Sequence, residues 1–268
     1  MSAALAADLQ SVAEASYPNR VVQTVAFVVL YYDFLLTFPL EVERYWAGGR
    51  SWASCCFFAN RYMAVLGHLP VVYEFFGTMP EEILAAVTQL VVGALLMLRT
   101  YALYNRNRRV VYVLSTICAV GGAVSAWAIL SVRGSSNPSP NVSLWVGCDL
   151  RISQKQGYYL AAAWSSILAF DTAVFVLTLW QALHVRPTWS HSLFHILLRD
   201  GTIYFGVLAI CYLSNISTYV FVQPKHKGIL TTLTIVLSTT LVTRMMLNIR
   251  NPELLELPHR WPSEHSDI

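Results

Sequence analysis

Residues Val21 to Phe38 read VVQTVAFVVLYYDFLLTF, and their only charged member is Asp33. A helix rises about 1.5 Å per residue and the hydrocarbon layer is about 30 Å thick, so roughly 20 such residues cross a bilayer. The pattern recurs at Trp52 to Val72, Ile83 to Tyr104, Val110 to Val132, Gly157 to Leu183, Thr202 to Val222 and Ile229 to Ile249. The spacing predicts an all-α integral membrane bundle of seven transmembrane helices at 21–250. An extracellular amino tail, 1–20, precedes it and a cytoplasmic carboxyl tail, 251–268, follows. Asn60, Arg61 and His68 make the second span the most interrupted.

The segments between the spans are short and hold helix breakers: Pro39, Gly48-Gly49, Pro80, Gly134 to Pro140, Pro187, Pro224, Gly228 and Pro252. Pro39 is accordingly read as ending the first span, and 184–201 as a loop. Of 268 residues, 56% are hydrophobic and 12% charged, which excludes an ordinary soluble domain. A net charge of +3 without a Lys/Arg run gives no electrostatic footprint for nucleic acid. Asp8 and Glu14 precede Arg20, the wrong charge order for a cleavable signal peptide, so the first apolar run is expected to stay as an anchor.

Positive charge near helix ends is retained on the cytoplasmic side. One side carries six such residues, Arg20, Arg133, Arg151, Lys155, Lys225 and Lys227. The other carries nine: Arg44, Arg50, Arg106, Arg108, Arg109, Arg186, Arg199, Arg250 and Arg260. The amino end is therefore expected outside. Asn141-Val142-Ser143, a glycosylation acceptor triplet, then falls outside as well. With no endoplasmic-reticulum retrieval string at the carboxyl end, the plasma membrane is the expected location.

Ionisable groups at membrane depth cost at least a few kcal/mol and must face a partner or water. Asp33, Arg61 and Asp171 are the central three. The inner halves of the first two helices can bring Asp33 and Arg61 into an ion pair, serving either helix register or a switch. Asp171 is expected to be neutral through desolvation or bound to a polar group of a neighbouring helix, ahead of a proton-relay role. Arg99, Asp200, Asn215 and Arg244 complete the set of intramembrane polar candidates. On the sixth helix Tyr204, Cys211, Asn215 and Thr218 share one face, as Thr232, Thr239 and Thr243 do on the seventh. Both faces are expected inward, as interhelical adhesive or as the lining of a small-molecule cavity.

Enzymatic chemistry finds no support in the residues. His191 and His195 are four apart, but no other histidine pair repeats that spacing, so no metal or other cofactor is expected. No nucleophile elbow or phosphate-cradling glycine loop occurs. The last span lacks the mid-helix lysine a retinal Schiff base requires. Tyr45, Trp46 and Trp52 at one turn, and Tyr101 and Tyr104 before Arg106 to Arg109, read as interfacial anchors. The arginine cluster could also meet anionic lipid or a cytosolic partner.

Several strings together resemble a family of fungal, mainly basidiomycete, multi-pass membrane proteins grouped as a domain of unknown function, DUF6533. They are Tyr32 to Thr37 with Glu41, Val42 and Trp46, Asn60-Arg61-Tyr62, and Leu98 to Tyr104. The likeness continues through Asp171 with Leu177 to Trp180, Arg199 to Phe205, and Leu247 to Arg250. The resemblance implies seven helices in a fungal membrane and no particular activity. The plan also resembles that of G-protein-coupled receptors. Asn60-Arg61-Tyr62 is similar to their Asp-Arg-Tyr signature, but it stands in the second helix rather than at the end of the third. The expectation is a non-enzymatic, receptor-like or sensory protein whose partners are the bilayer and a small ligand or cytosolic signalling protein. A small-solute transporter or channel, or a lipid-organising scaffold, is the alternative.

Overall fold

The structure, a computed structural model, describes residues 3–46, 51–72, 81–134, 152–184, 191–224 and 226–250. Side chains are described over 17–46, 51–67, 85–131, 152–181, 183–184, 201–224 and 226–250. Seven α-helices follow one another: α1 Ala3–Glu41, α2 Trp52–Val72, α3 Glu81–Leu103, α4 Arg108–Gly134, α5 Gln154–His184, α6 His191–Phe221 and α7 Thr231–Ile249. No strand occurs among the described residues. This is a multi-pass membrane protein. Within the described residues six helices are long and apolar enough to cross a bilayer, α2 being the one left out.

The helices alternate in direction, and contacts fix which ends lie together. Arg44, just past α1, donates from Nη1 to the Leu247 carbonyl at 2.8 Å, so the last turns of α1 and α7 adjoin. Tyr104, after α3, donates to the Leu177 carbonyl of α5 at 2.8 Å. Arg99 of α3 reaches Met245 of α7. At the opposite end Gln154, at the start of α5, donates to the Val220 carbonyl of α6 at 3.0 Å.

α7 is the axis of the bundle, with 67% of its apolar window buried, whereas α4 has 11% and presents its surface outward. Tyr112, Val120, Trp127 and Leu130 of α4, and Ile203, Ile210 and Phe221 of α6, are exposed large hydrophobics. Such a surface suits acyl chains rather than water. Inside, α7 buries Thr232, Thr234, Ser238, Thr239, Thr240 and Thr243. Between helices already in lipid, apolar burial supplies no drive, and close packing and polar contacts hold the bundle instead.

Two helix starts and one helix end differ from the sequence reading. α1 begins at Ala3, since ALAADLQSVAEA is rich in strong helix formers. α6 begins at His191, because no glycine or proline interrupts 191–200. Pro39 does not end α1: the helix runs on to Glu41 and widens into a π-helical turn, Val42–Trp46. In an apolar surround, continuing a widened helix keeps backbone groups paired where a break would strand them.

Candidate functional site

Polar side chains inside the bundle fall into two groups that meet along α7. The first joins α1, α2 and α7 near the end of the bundle that holds Arg44 and Arg250. The π-helical turn turns Tyr45 inward, where it stacks on Phe57 with ring centroids 3.7 Å apart. Four residues earlier Glu41 is fully buried, 0% exposed. It lies 2.5 Å from Arg61 Nε and accepts hydrogen bonds from Tyr62 and from Trp46 Nε1, each at 3.0 Å. The ionic contact is close but poorly aligned, because neither Arg61 Nε nor Glu41 Oε2 completes an oriented hydrogen bond. Orientation comes from the rest of the guanidinium. Nη1 donates to Thr37 Oγ1 at 2.7 Å, Nη2 donates to the Phe34 carbonyl at 2.9 Å, and the plane lies 4.6 Å from the Phe34 ring centroid.

The expected Asp33–Arg61 pair is thereby corrected. Asp33 pairs with Arg244 of α7, and Arg61 pairs with Glu41. Matching the depths of two antiparallel helices left out the third helix that carries Arg244, and reading Pro39 as a terminus placed Glu41 outside the membrane. Asn60 completes the group, donating from Nδ2 to Thr243 Oγ1 at 3.1 Å and to the Thr239 carbonyl at 3.3 Å. Asp33 and Arg61 also line a recess of only about 10 Å³, the order of one water.

The second group joins α5, α6 and α7. Asp171, 5% exposed, hydrogen-bonds the Tyr212 hydroxyl, which stands 3.3 Å from Ser238 Oγ. Its Oδ2 has no hydrogen-bond partner. Toward the other end, the Asn215 Oδ1 accepts from Thr231 at 3.3 Å, and Thr231 shares a 2.7 Å hydrogen bond with Tyr219. Lys227, also buried, donates to Gln154. Two glycines admit this clasp. A Cβ on Gly157 would lie 2.6 Å from the Tyr219 carbonyl oxygen. Gly228, with φ +75°, leaves room for the Tyr219 ring.

The inward face of α6 is Leu208, Tyr212, Asn215 and Tyr219, one position round from the expected Tyr204, Cys211, Asn215 and Thr218. Asn215 belongs to both, and Tyr204 also turns inward as expected, accepting from Asn248 Nδ2 of α7 at 3.4 Å. Tyr212 lies off the face expected from Tyr204 and Asn215, and its apolar body, which needs a partner only at the tip, gives no sign in the sequence that it turns inward. Thr232, Thr239 and Thr243 are buried on α7 as expected.

Beside Asp171 the bundle holds a cavity of about 50 Å³ walled by α3, α5, α6 and α7. Arg99 and Asp171 both line it, with Thr178, Tyr204 and Met245. Gly201 allows the Arg99 guanidinium to approach, since a Cβ there would lie 3.2 Å from Nη2. Such a space holds a few waters or one very small polar group. The side chains of Asp200, His191 and His195, and all of Asn141, Cys148, 135–151 and the carboxyl tail, lie outside the described residues.

Residues 21–66 match the model of a family described as a family of unknown function, DUF6533. The matched stretch holds Asp33, Glu41 and Arg61 but not Arg244 or Asp171. No curated protein and no solved structure matches the chain.

Proposed function

We propose that this chain is a non-enzymatic, receptor-like or sensory membrane protein in which the cavity at Asp171 registers a small polar ligand. The observation that carries this reading is the Asp171 oxygen without a donor, buried beside a cavity where four helices meet. An unmet acceptor in an apolar surround is a standing cost that a bound donor removes. Ligand binding can thus bias how α5, α6 and α7 pack. A cytosolic signalling protein would read the change at the end carrying Arg44, Arg106, Arg108 and Arg250, which this reading places in the cytoplasm of the plasma membrane with the amino end outside.

α2 crosses as the seventh span in this reading. The ends of α1, α3, α5 and α7 adjoin, and a chain passing from the end of α1 to the start of α3 must traverse the bundle. Transport is the second reading. It is less favoured because the Asp33–Arg61 recess and the Asp171 cavity share no lining residue.

The test uses a fluorine label on Cys55, which is exposed and follows Ser54, the acceptor of Arg250, with the remaining cysteines replaced by alanine. In lipid nanodiscs the label should report two environments whose ratio shifts in Asp171→Asn. One environment, identical in both proteins, would sink the sensory reading. Solute flux into reconstituted vesicles that Asp171→Asn abolishes would assign the site to transport instead.

A further inference from the structure

On the outer surface of the bundle, α3 and α4 form a tight hairpin. Asn105 and Arg106 carry it through positive φ, 48° and 61°, and Asn107 Oδ1 accepts the backbone N–H of Arg109 at 3.0 Å to cap α4. Below the turn the two helices enclose a groove of about 400 Å³, the size range of small-ligand sites. Its walls are Met97, Leu98 and Val111, its rim Tyr101, Arg108 and Tyr112. Ser115 Oγ donates to Met97 Sδ at 3.6 Å and ties the helices together.

The charge around this groove has one sign. Arg106, Arg108 and Arg109 are exposed, and none of them pairs with an acidic group among the described residues. No Asp or Glu occurs between Glu82 and Asp149, so the acidic residues of the walling helices are confined to Glu81 and Glu82, at the end of α3 opposite the turn. The amino-terminal end of α4 adds the positive end of its backbone dipole. An occupant must therefore be apolar along α3 and α4 and anionic at the turn, and it must arrive from the lipid side. That is the description of an acidic phospholipid.

We infer that the α3/α4 groove is a binding site for one acidic phospholipid. An acyl chain lies against Met97, Leu98 and Val111, and the headgroup phosphate is held by Arg108 between Tyr101 and Tyr112. Arg106 and Arg109 raise the local potential without lining the groove. The site is separate from the Asp171 cavity and does not depend on it.

The full chain in nanodiscs containing phosphatidylserine and phosphatidylcholine, released into mild detergent and weighed intact, tests this. Wild type should retain one phosphatidylserine in preference to phosphatidylcholine by roughly fivefold, the scale of one basic residue at a lipid surface. Arg108→Gln should remove most of that preference. Leu98→Trp, which fills the groove without changing charge, should abolish retention, and a photoreactive phosphatidylserine should label 97–112 in wild type only. Equal retention of the two lipids, retention indifferent to both variants, or displacement by millimolar inorganic phosphate would each overturn the inference, the last by showing that a free anion suffices.

Discussion

The two polar groups along α7 solve one problem in different ways. Near Arg44, every charge that α1 and α2 bury has an opposite charge from another turn or helix: Asp33 with Arg244, Glu41 with Arg61. Near Asp171 the contacts among the described residues are mostly between neutral groups, and Asp171 keeps an oxygen without a donor beside a cavity. Paired charges in an apolar medium hold one geometry, because separating them exposes both to the desolvation cost. Neutral hydrogen bonds average well under 1 kcal/mol each in membrane bundles and rearrange cheaply. The difference teaches where this fold is fastened and where it can yield.

The largest effect should come from breaking the fastened side. Arg61→Gln strands Glu41 and should lower stability in detergent by about 3–5 kcal/mol. Adding Glu41→Gln should restore part of it, a coupling of about 1–3 kcal/mol in the double-mutant cycle. Strictly additive losses would dissolve the pair. Gly157→Ala drives a Cβ into the Tyr219 carbonyl and should cost about 1–3 kcal/mol, measured as a lower thermal midpoint. Asp33→Asn should cost less, roughly 1–2 kcal/mol, because the Arg244 side chain is 42% exposed and can reorient. Thr243→Ala, removing the acceptor of Asn60, should cost about 0.6 kcal/mol. Asp171→Asn should leave stability within about 0.5 kcal/mol of wild type, since Asn keeps the oxygen that meets Tyr212 and its amide nitrogen takes the place of an oxygen that already had no partner. A loss above about 2 kcal/mol there would make Asp171 as structural as Glu41.

Much of this was legible in the residues. Apolar length alone placed every helix, and α2 falls on the expected Trp52–Val72. Asp33, Arg61, Asp171 and Asn215 were marked because charge or amide in an apolar run is conspicuous. What stayed hidden depends on geometry between helices. A proline at position 39 reads as a stop, yet α1 runs through it and buries Glu41 before the chain widens into the π-helical turn. Partner choice among Asp33, Arg61, Arg244 and Glu41 depends on which helices adjoin, which no single-helix periodicity encodes. On α6, Asn215 and Tyr204 turn inward as their pattern suggests, but Tyr212 looks apolar until its hydroxyl meets Asp171 and Ser238. The groove at Arg108 exists only once α3 and α4 are laid side by side.

Amide hydrogen exchange of the full chain in lipid nanodiscs puts the contrast between the two sides to the most direct test, because it reads local opening helix by helix. The account predicts the slowest exchange in 33–46, 54–65 and 239–247, and measurably faster exchange in 168–178 and 201–212 at the same depth. Equal protection of the two sets, or slower exchange around Asp171 than around Glu41, would contradict it.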